Sequence, residues 1–219
     1  MQEQTGVQTA ASPSLLSERA YAALRDRLVT LEIPPGAPID EDALTRELGV
    51  GRTPVREAVR RLVLEGLVVV YPRRGTFASA INITSLSDIT DVRTVLEAHA
   101  AARAASLADP ADVDEARALV AELEALDVGQ EQMIELDARI HRFVYRCCRN
   151  PYLTQDLDRY LNMSLRIWHL TSDRLPPLAD RVREHRDLLE AICRGDADAA
   201  RRIAGEHVNA FAAEMRAAL

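Results

Sequence analysis

Gly49-Val50-Gly51-Arg52-Thr53-Pro54-Val55-Arg56-Glu57-Ala58-Val59-Arg60-Arg61-Leu62 places a glycine turn and a proline ahead of a short arginine-rich run. Pro54 falls just inside the start of a helix that begins near Thr53, where its missing N–H breaks no intrahelical bond. Val55, Ala58, Val59, Leu62 and Val63 give this helix an inward apolar stripe. Arg52, Arg56 and Arg60 recur four apart on another face. Upstream, Asp40 is a predicted N-cap for a helix over 41–48, with acidic residues in its first turn and Gly49 as its C′ residue. Two short helices joined across Gly49-Val50-Gly51 predict a helix-turn-helix.

An earlier helix is expected over 15–31, with Leu15, Leu24, Leu28 and Leu31 on one face and Pro34-Pro35-Gly36 as its stop. Beyond Leu62, Glu65-Gly66-Leu67 ends the arginine helix. Val68-Val69-Val70-Tyr71 and Thr76-Phe77-Ala78 then read as two strands around a Pro72-Arg73-Arg74-Gly75 turn. This hairpin is a wing. Residues 51–80 hold six arginines against two glutamates, a net charge of +4 on a chain whose total is −7. A locally positive strip on an acidic protein is expected when one face alone meets phosphate.

Arginine's planar fork can bind guanine through two hydrogen bonds, and the first residues of a recognition helix meet base edges. Arg52 and Arg56 are therefore the expected base readers, with Thr53 reaching a base or a phosphate. Arg60 and Arg61 lie deeper along the helix, where each fits phosphate contact or packing equally, and Arg60 is kept as a candidate DNA contact. Arg73, Arg74 and Gly75 would lie along the backbone or in the minor groove. The chain has no lysine, a compositional bias that carries no weight for DNA binding.

The stretch from Pro34 to Phe77 resembles the winged helix-turn-helix of the GntR family of bacterial transcription regulators. The resemblance is carried by Pro35-Gly36, Leu44 with Leu48-Gly49-Val50, Arg52-Thr53-Pro54-Val55-Arg56-Glu57-Ala58, Arg61-Leu62, Glu65-Gly66-Leu67 and Arg74-Gly75. Gly51 departs from the family's usual serine or threonine. Glycine caps a helix almost as well but offers no side chain to a phosphate.

With 219 residues, two domains are expected. The fold class predicted is mostly α: a winged helix-turn-helix over 15–80 and an all-α antiparallel helical bundle over 85–219. Residues 1–14 read as a disordered tail and 81–84 as a linker, with Thr84 or Ser85 as a cap. Neither a membrane-spanning run nor a signal segment is visible, so a cytoplasmic location is expected. Cys147, Cys148 and Cys193 lack metal or redox spacing and read as reduced thiols. Helices are predicted over 85–107, 110–127, 130–149, 152–172, 178–194 and 197–218, with breaks or caps at Asp109-Pro110, Asn150-Pro151, Pro176-Pro177 and Gly195-Asp196.

Within this bundle, polar residues fall on faces that should be apolar. His185 precedes Leu188, Leu189 and Ile192 at helical spacing, and His207 lies between Ile203 and Phe211. Asp137 and His141 are one turn apart on a stripe with Ile134, Ile140 and Val144. Buried polar groups need partners. A divalent transition metal would partner all four, and zinc, nickel, manganese and iron are all compatible with the set. Singly, each histidine also fits a hydrogen-bonded core position.

Residues 85–215 resemble the FCD domain of the FadR-like branch of the same family. The resemblance implies metal binding by Asp137, His141, His185 and His207, and an effector that is a small organic acid. It also draws attention to Arg93…Glu97, which reads either as an effector-holding arginine with its partner or as a surface i,i+4 pair. Asn162 and Arg166, one turn apart, are further candidates to line the cavity. Together these expectations describe a homodimeric, ligand-responsive regulator that represses a catabolic operon by reading a near-palindromic double-stranded operator. The rival readings are a metal-dependent hydrolase and an architectural DNA binder without a ligand.

Overall fold

A computed structural model describes residues 13–125, 130–174 and 179–218. Residues 1–12 of the expected tail, the end of the helix predicted over 110–127, and Pro176-Pro177 lie outside the described residues. The chain divides into two compact units, 1–81 and 82–219.

The first unit contains α1 (Pro13–Val29), α2 (Glu41–Leu48), α3 (Arg52–Leu64), β1 (Val68–Tyr71) and β2 (Gly75–Ala78). Asp40 caps α2 by accepting from the backbone N–H of Asp42 and Ala43 at 2.9 Å each. Gly49 ends that helix with φ +62°, a left-handed conformation that glycine adopts without a Cβ clash. Gly51 precedes α3 without any side-chain cap. The strands pair antiparallel, Val68 opposite Ala78 and Tyr71 opposite Gly75. Residues 36–39 run along the outer side of β2, with Ile39 N–H donating to Thr76 O at 2.8 Å and Ala78 N–H to Ala37 O at 2.9 Å. That third, edge-like segment gave no strand pattern in the sequence.

The core of this unit joins Tyr21, Leu24 and Leu28 of α1 to Val55, Val59 and Leu62 of α3, with Leu44, Leu67 and Val68 around them. Three expectations change here. Leu15 is 60% exposed, so it leaves the buried face that Leu24 and Leu28 share. The helix ends at Val29, before the prolines, because the chain turns at Leu31 with φ +60°. Val63 is exposed and lies outside the apolar stripe of α3.

A polar lock ties α1 to α3. Tyr21 Oη lies 3.0 Å from both Glu65 carboxylate oxygens, in a buried setting. Arg61 donates to Glu65 at 3.1 Å and to Glu18 at 3.0 Å, and its guanidinium stacks 3.5 Å from the Tyr21 ring centre. These contacts support a packing role for Arg61, whose side chain stays half-exposed. Glu57 is likewise engaged, accepting from Ser17 Oγ.

The second unit contains α4 (Ser85–Leu107), α5 (Pro110–Ala125), α6 (Gln130–Cys147), α7 (Pro151–Thr171), α8 (Ala179–Cys193) and α9 (Ala197–Ala218). Asp109 caps α5 through the Ala111 and Asp112 N–H groups, and Asn150 caps α7 through Leu153. Gly195 takes φ +71° at the break before α9, where Asp196 accepts from Ala199 N–H at 3.0 Å. Thr84 occupies the N-cap position of α4 but makes no side-chain cap bond, because its N–H and hydroxyl both bind Asn82 Oδ1.

The central helix α4 packs mainly on α9 and also meets α6, α7 and α8. Ala100, Ala101, Ala104 and Ala105 are fully or nearly buried along it, and small side chains let helix backbones approach closely. Around that axis, Leu136, Ile140, Phe143, Leu157, Leu161, Leu189 and Ile192 supply the apolar mass. The free thiols of Cys147 and Cys148 are buried in the same core.

Candidate DNA interface and metal centre

The two candidate sites differ in how their side chains are held. On the first unit, Arg52, Thr53, Arg56 and Arg60 are all exposed on α3, and Arg73, Arg74 and Gly75 are exposed at the wing. Arg52 and Arg56 have side chains 72% and 67% exposed, against Asp42 at 3.3 Å and Glu41 at 3.8 Å. Glu41 is itself fixed by Thr76 of β2, whose hydroxyl donates to it at 2.9 Å. One carboxylate thus touches the turn-entry helix, the recognition helix and the wing. The wing turn is closed by Arg74 N–H donating to Tyr71 O at 3.0 Å, with Arg73 at φ +64°. A non-glycine residue in that region carries backbone strain of order 1 kcal/mol, and the conformation projects its guanidinium from the tip.

On the second unit, α6, α8 and α9 bring Asp137, His141, His185 and His207 together. One ligand-type atom from each lies within 4.8 Å of those of the other three. His185 Nε2 donates to Asp137 Oδ1 at 2.6 Å. His141 Nε2 and His207 Nε2 each lie 3.8 Å from an Asp137 oxygen. The three rings are mutually close, with centroids 4.4 to 5.5 Å apart. All three imidazoles are buried.

Electrostatics matches this crowding. Burial alone would raise the Asp137 carboxyl, but His141 and His185 overcome it and hold the group well below the usual carboxylate range. Burial, and then repulsion from His185, push His207 down to about 4, so at neutral pH its ring is neutral. Burial also works to lower His141, yet Glu97 and Asp137 outweigh it and raise the group.

The donor set fits a divalent metal. One carboxylate and three imidazoles are the oxygen and nitrogen ligands that such ions take, with bonds of about 2.0–2.2 Å for zinc. Four tetrahedral ligands at that range are about 3.3 Å apart, and the separations from Asp137, 2.6 to 3.8 Å, bracket that value. His185 Nδ1 is buried and has no hydrogen-bond partner among the described residues. Exposed acidic clusters often form without an ion. This one is buried.

Arg93 departs from the surface reading of its spacing. It is 4% exposed and Glu97 2%, and they meet through Arg93 Nη2 at 2.5 Å and Nε at 2.7 Å. The other Glu97 oxygen lies 2.7 Å from His141 Nδ1. Burial opposes ionisation of Glu97, but Arg93 and then His141 hold it well below its ordinary value. Glu184 plays a similar part at His207, accepting from Nδ1 at 2.7 Å. Glu97 and Glu184 carried no periodic signal of their own; a carboxylate one turn from a buried arginine was the available clue. Asn162 and Arg166 are both buried on α7, where Asn162 Oδ1 accepts from Arg142 at 3.1 Å and burial pushes the Arg166 guanidinium down to about 10.

A winged helix-turn-helix followed by an all-helical unit with a buried ligand cluster defines a DNA-binding transcription regulator. Residues 16–78 match the model of the bacterial regulatory proteins, gntR family, and residues 88–210 match the FCD domain. An uncharacterized HTH-type transcriptional regulator of Streptomyces ambofaciens is 32% identical over 197 residues, covering 87% of this chain and 80% of that one. The HTH-type transcriptional repressor RspR of Escherichia coli K12 is 24% identical, covering 96% and 93%. The solved structure of Escherichia coli McbR/YncC superposes with a TM-score of 0.80 at 24% identity, over 95% of this chain and 99% of that one. The chain belongs to the GntR family, in its FadR-like branch with an FCD domain. It is a regulator, as its relatives are, and not an enzyme. No helix among the described residues is long and apolar enough to cross a membrane.

Proposed function

We propose that this protein is a metal-dependent, organic-acid-responsive repressor that binds a near-palindromic operator as a homodimer in the cytoplasm. The buried meeting of Asp137 with His141, His185 and His207 carries the sensing part of this reading. These residues hold the ion, which when bound supplies a Lewis-acidic position for an effector carboxylate. Arg166 and Asn162, one turn apart and both buried on α7, are the candidate residues for holding the effector. Arg93, paired with Glu97, is the third candidate to hold the effector carboxylate.

On the DNA side, Arg52 and Arg56 read bases, Thr53 and Arg60 hold phosphate or flanking bases, and Arg73, Arg74 and Gly75 fit the wing to the backbone. Effector binding alters DNA affinity only to the extent that it favours one arrangement of the dimer. Two relatives are named as repressors, RspR and GlaR of Escherichia coli, which supports repression of an operon, catabolic in this reading.

Metal analysis of purified protein, paired with thermal melts, tests the sensing part. One equivalent of divalent metal is expected, with a chelator-induced loss of about 2.7 kcal/mol if metal was present at 100 times its Kd. Asp137→Ala should abolish both the metal and the chelator response while leaving operator binding in place. Full metal content in that variant would sink the assignment.

A further inference from the structure

Two of the three buried imidazoles are gripped from behind by carboxylates on different helices. His141 gives its Nδ1 to Glu97 of α4, and His207 gives its Nδ1 to Glu184 of α8, each at 2.7 Å. A carboxylate that accepts from Nδ1–H fixes the imidazole tautomer with the proton on that nitrogen. Nε2 would then keep the lone pair that a metal ion takes, and the ring becomes a stronger base.

The two carboxylates differ in setting. The Glu184 side chain is 37% exposed, whereas that of Glu97 is 3% exposed. Glu97 is also divided between partners: Oε1 takes the Arg93 guanidinium and Oε2 takes His141, with the buried Tyr145 hydroxyl also bonded to this carboxylate. A structural i,i+4 ion pair would need no third member. Here the pair ends on a metal-ligand candidate, deep in the bundle, and the arginine fixes the rotamer of the carboxylate that orients the ring.

We propose that Glu97 is the positioning residue of the metal centre and that Arg93 fixes the rotamer of this carboxylate. The assignment rests on the metal reading above. Glu97 does not touch the ion; it sets the direction and basicity of His141. Glu184 does the same for His207 more weakly, because water competes for its carboxylate.

The experiment compares full-length wild type, Glu97→Gln and Glu184→Gln. Zinc affinity is measured by competition with a chromophoric chelator, and cobalt(II) is added to report ligand geometry in its visible bands. Glutamine keeps the shape, but its single carbonyl oxygen can accept from His141 Nδ1–H or from Arg93 and not from both, so at Glu97 it removes the charge and one of the two contacts. Glu97→Gln should weaken zinc about 10- to 100-fold and shift the cobalt bands, with a smaller change for Glu184→Gln. Because Arg93 loses its counter-charge in Glu97→Gln, the double variant Arg93→Met with Glu97→Gln is measured beside it, removing the buried cation too. It should fold by circular dichroism and show the same weakening. Wild-type affinity and unchanged cobalt bands in either variant would overturn the assignment while the metal reading stood. A wild-type protein that binds neither ion would overturn both.

Discussion

Arg56 and Arg93 each face a glutamate, and the contrast between them separates the two halves of this molecule. Arg56 is 67% exposed and stands 3.8 Å from Glu41, whereas Arg93 is 4% exposed and meets Glu97 at 2.5 Å. In water-exposed settings an ion pair is worth about 0–1 kcal/mol, so its cation exchanges partners readily. A buried pair has lost its hydration, and neither member can leave without stranding the other. The exposed pairs of α3 leave their cations able to change partners. The Arg93–Glu97 pair of the all-helical unit is fixed in place.

The largest test of that contrast removes one acid from each pair. Glu97→Ala leaves a buried guanidinium and His141 Nδ1 without their acceptor, and should destabilise the protein by about 3–5 kcal/mol in urea unfolding. Glu41→Ala gives up one hydrogen bond and a loose ion pair, and should cost about 1 kcal/mol. Comparable losses from both would erase the distinction.

The same contrast predicts where DNA binding is sensitive. Arg56→Ala should cost about 1–3 kcal/mol on the operator, measured by titration at fixed salt, and should relax sequence choice at the contacted base pair. Arg60→Ala should weaken all sequences nearly equally and lower the salt slope by about 1, as loss of a phosphate contact does. A uniform loss in Arg56→Ala would move that residue from base reading to backbone contact.

The secondary structure was largely legible because its punctuation is strong: Asp40, Gly49, Pro54, Asp109, Asn150 and Gly195 each carry a local backbone rule. The metal-ligand candidates were legible because Asp137 and His141 are one turn apart and His185 and His207 interrupt apolar stripes. Less visible was anything set by contact between distant segments. The 36–39 edge beside the wing is irregular in sequence and is held by backbone hydrogen bonds that composition does not encode. Leu15 fitted the periodicity of α1 yet lies beyond the end of the core. Arg61 shared the charge of the candidate DNA contacts, and only the placement of Tyr21, Glu65 and Glu18 engages it within the fold. Arg93 and Glu97 looked alike as a surface pair or a buried one, since i,i+4 spacing reports adjacency and not depth.

The smallest expected effect lies at the start of the recognition helix. Gly51 has extended backbone angles, φ −74° and ψ 168°, that any residue can adopt, and α3 lacks a side-chain cap. A Cβ built there meets only Pro54 Cδ, at an ordinary 3.7 Å. Gly51→Ser should therefore fit without strain and gain a few tenths of a kcal/mol from the new cap. The added hydroxyl also stands at the helix N-terminus, where phosphate is favoured. If it contacts the backbone, affinity should rise alike on operator and random DNA, leaving their ratio unchanged. A change in that ratio would mean that the turn before α3 helps set the angle of Arg52 and Arg56, and that exchangeable charges depend on rigid geometry more than their exposure suggests.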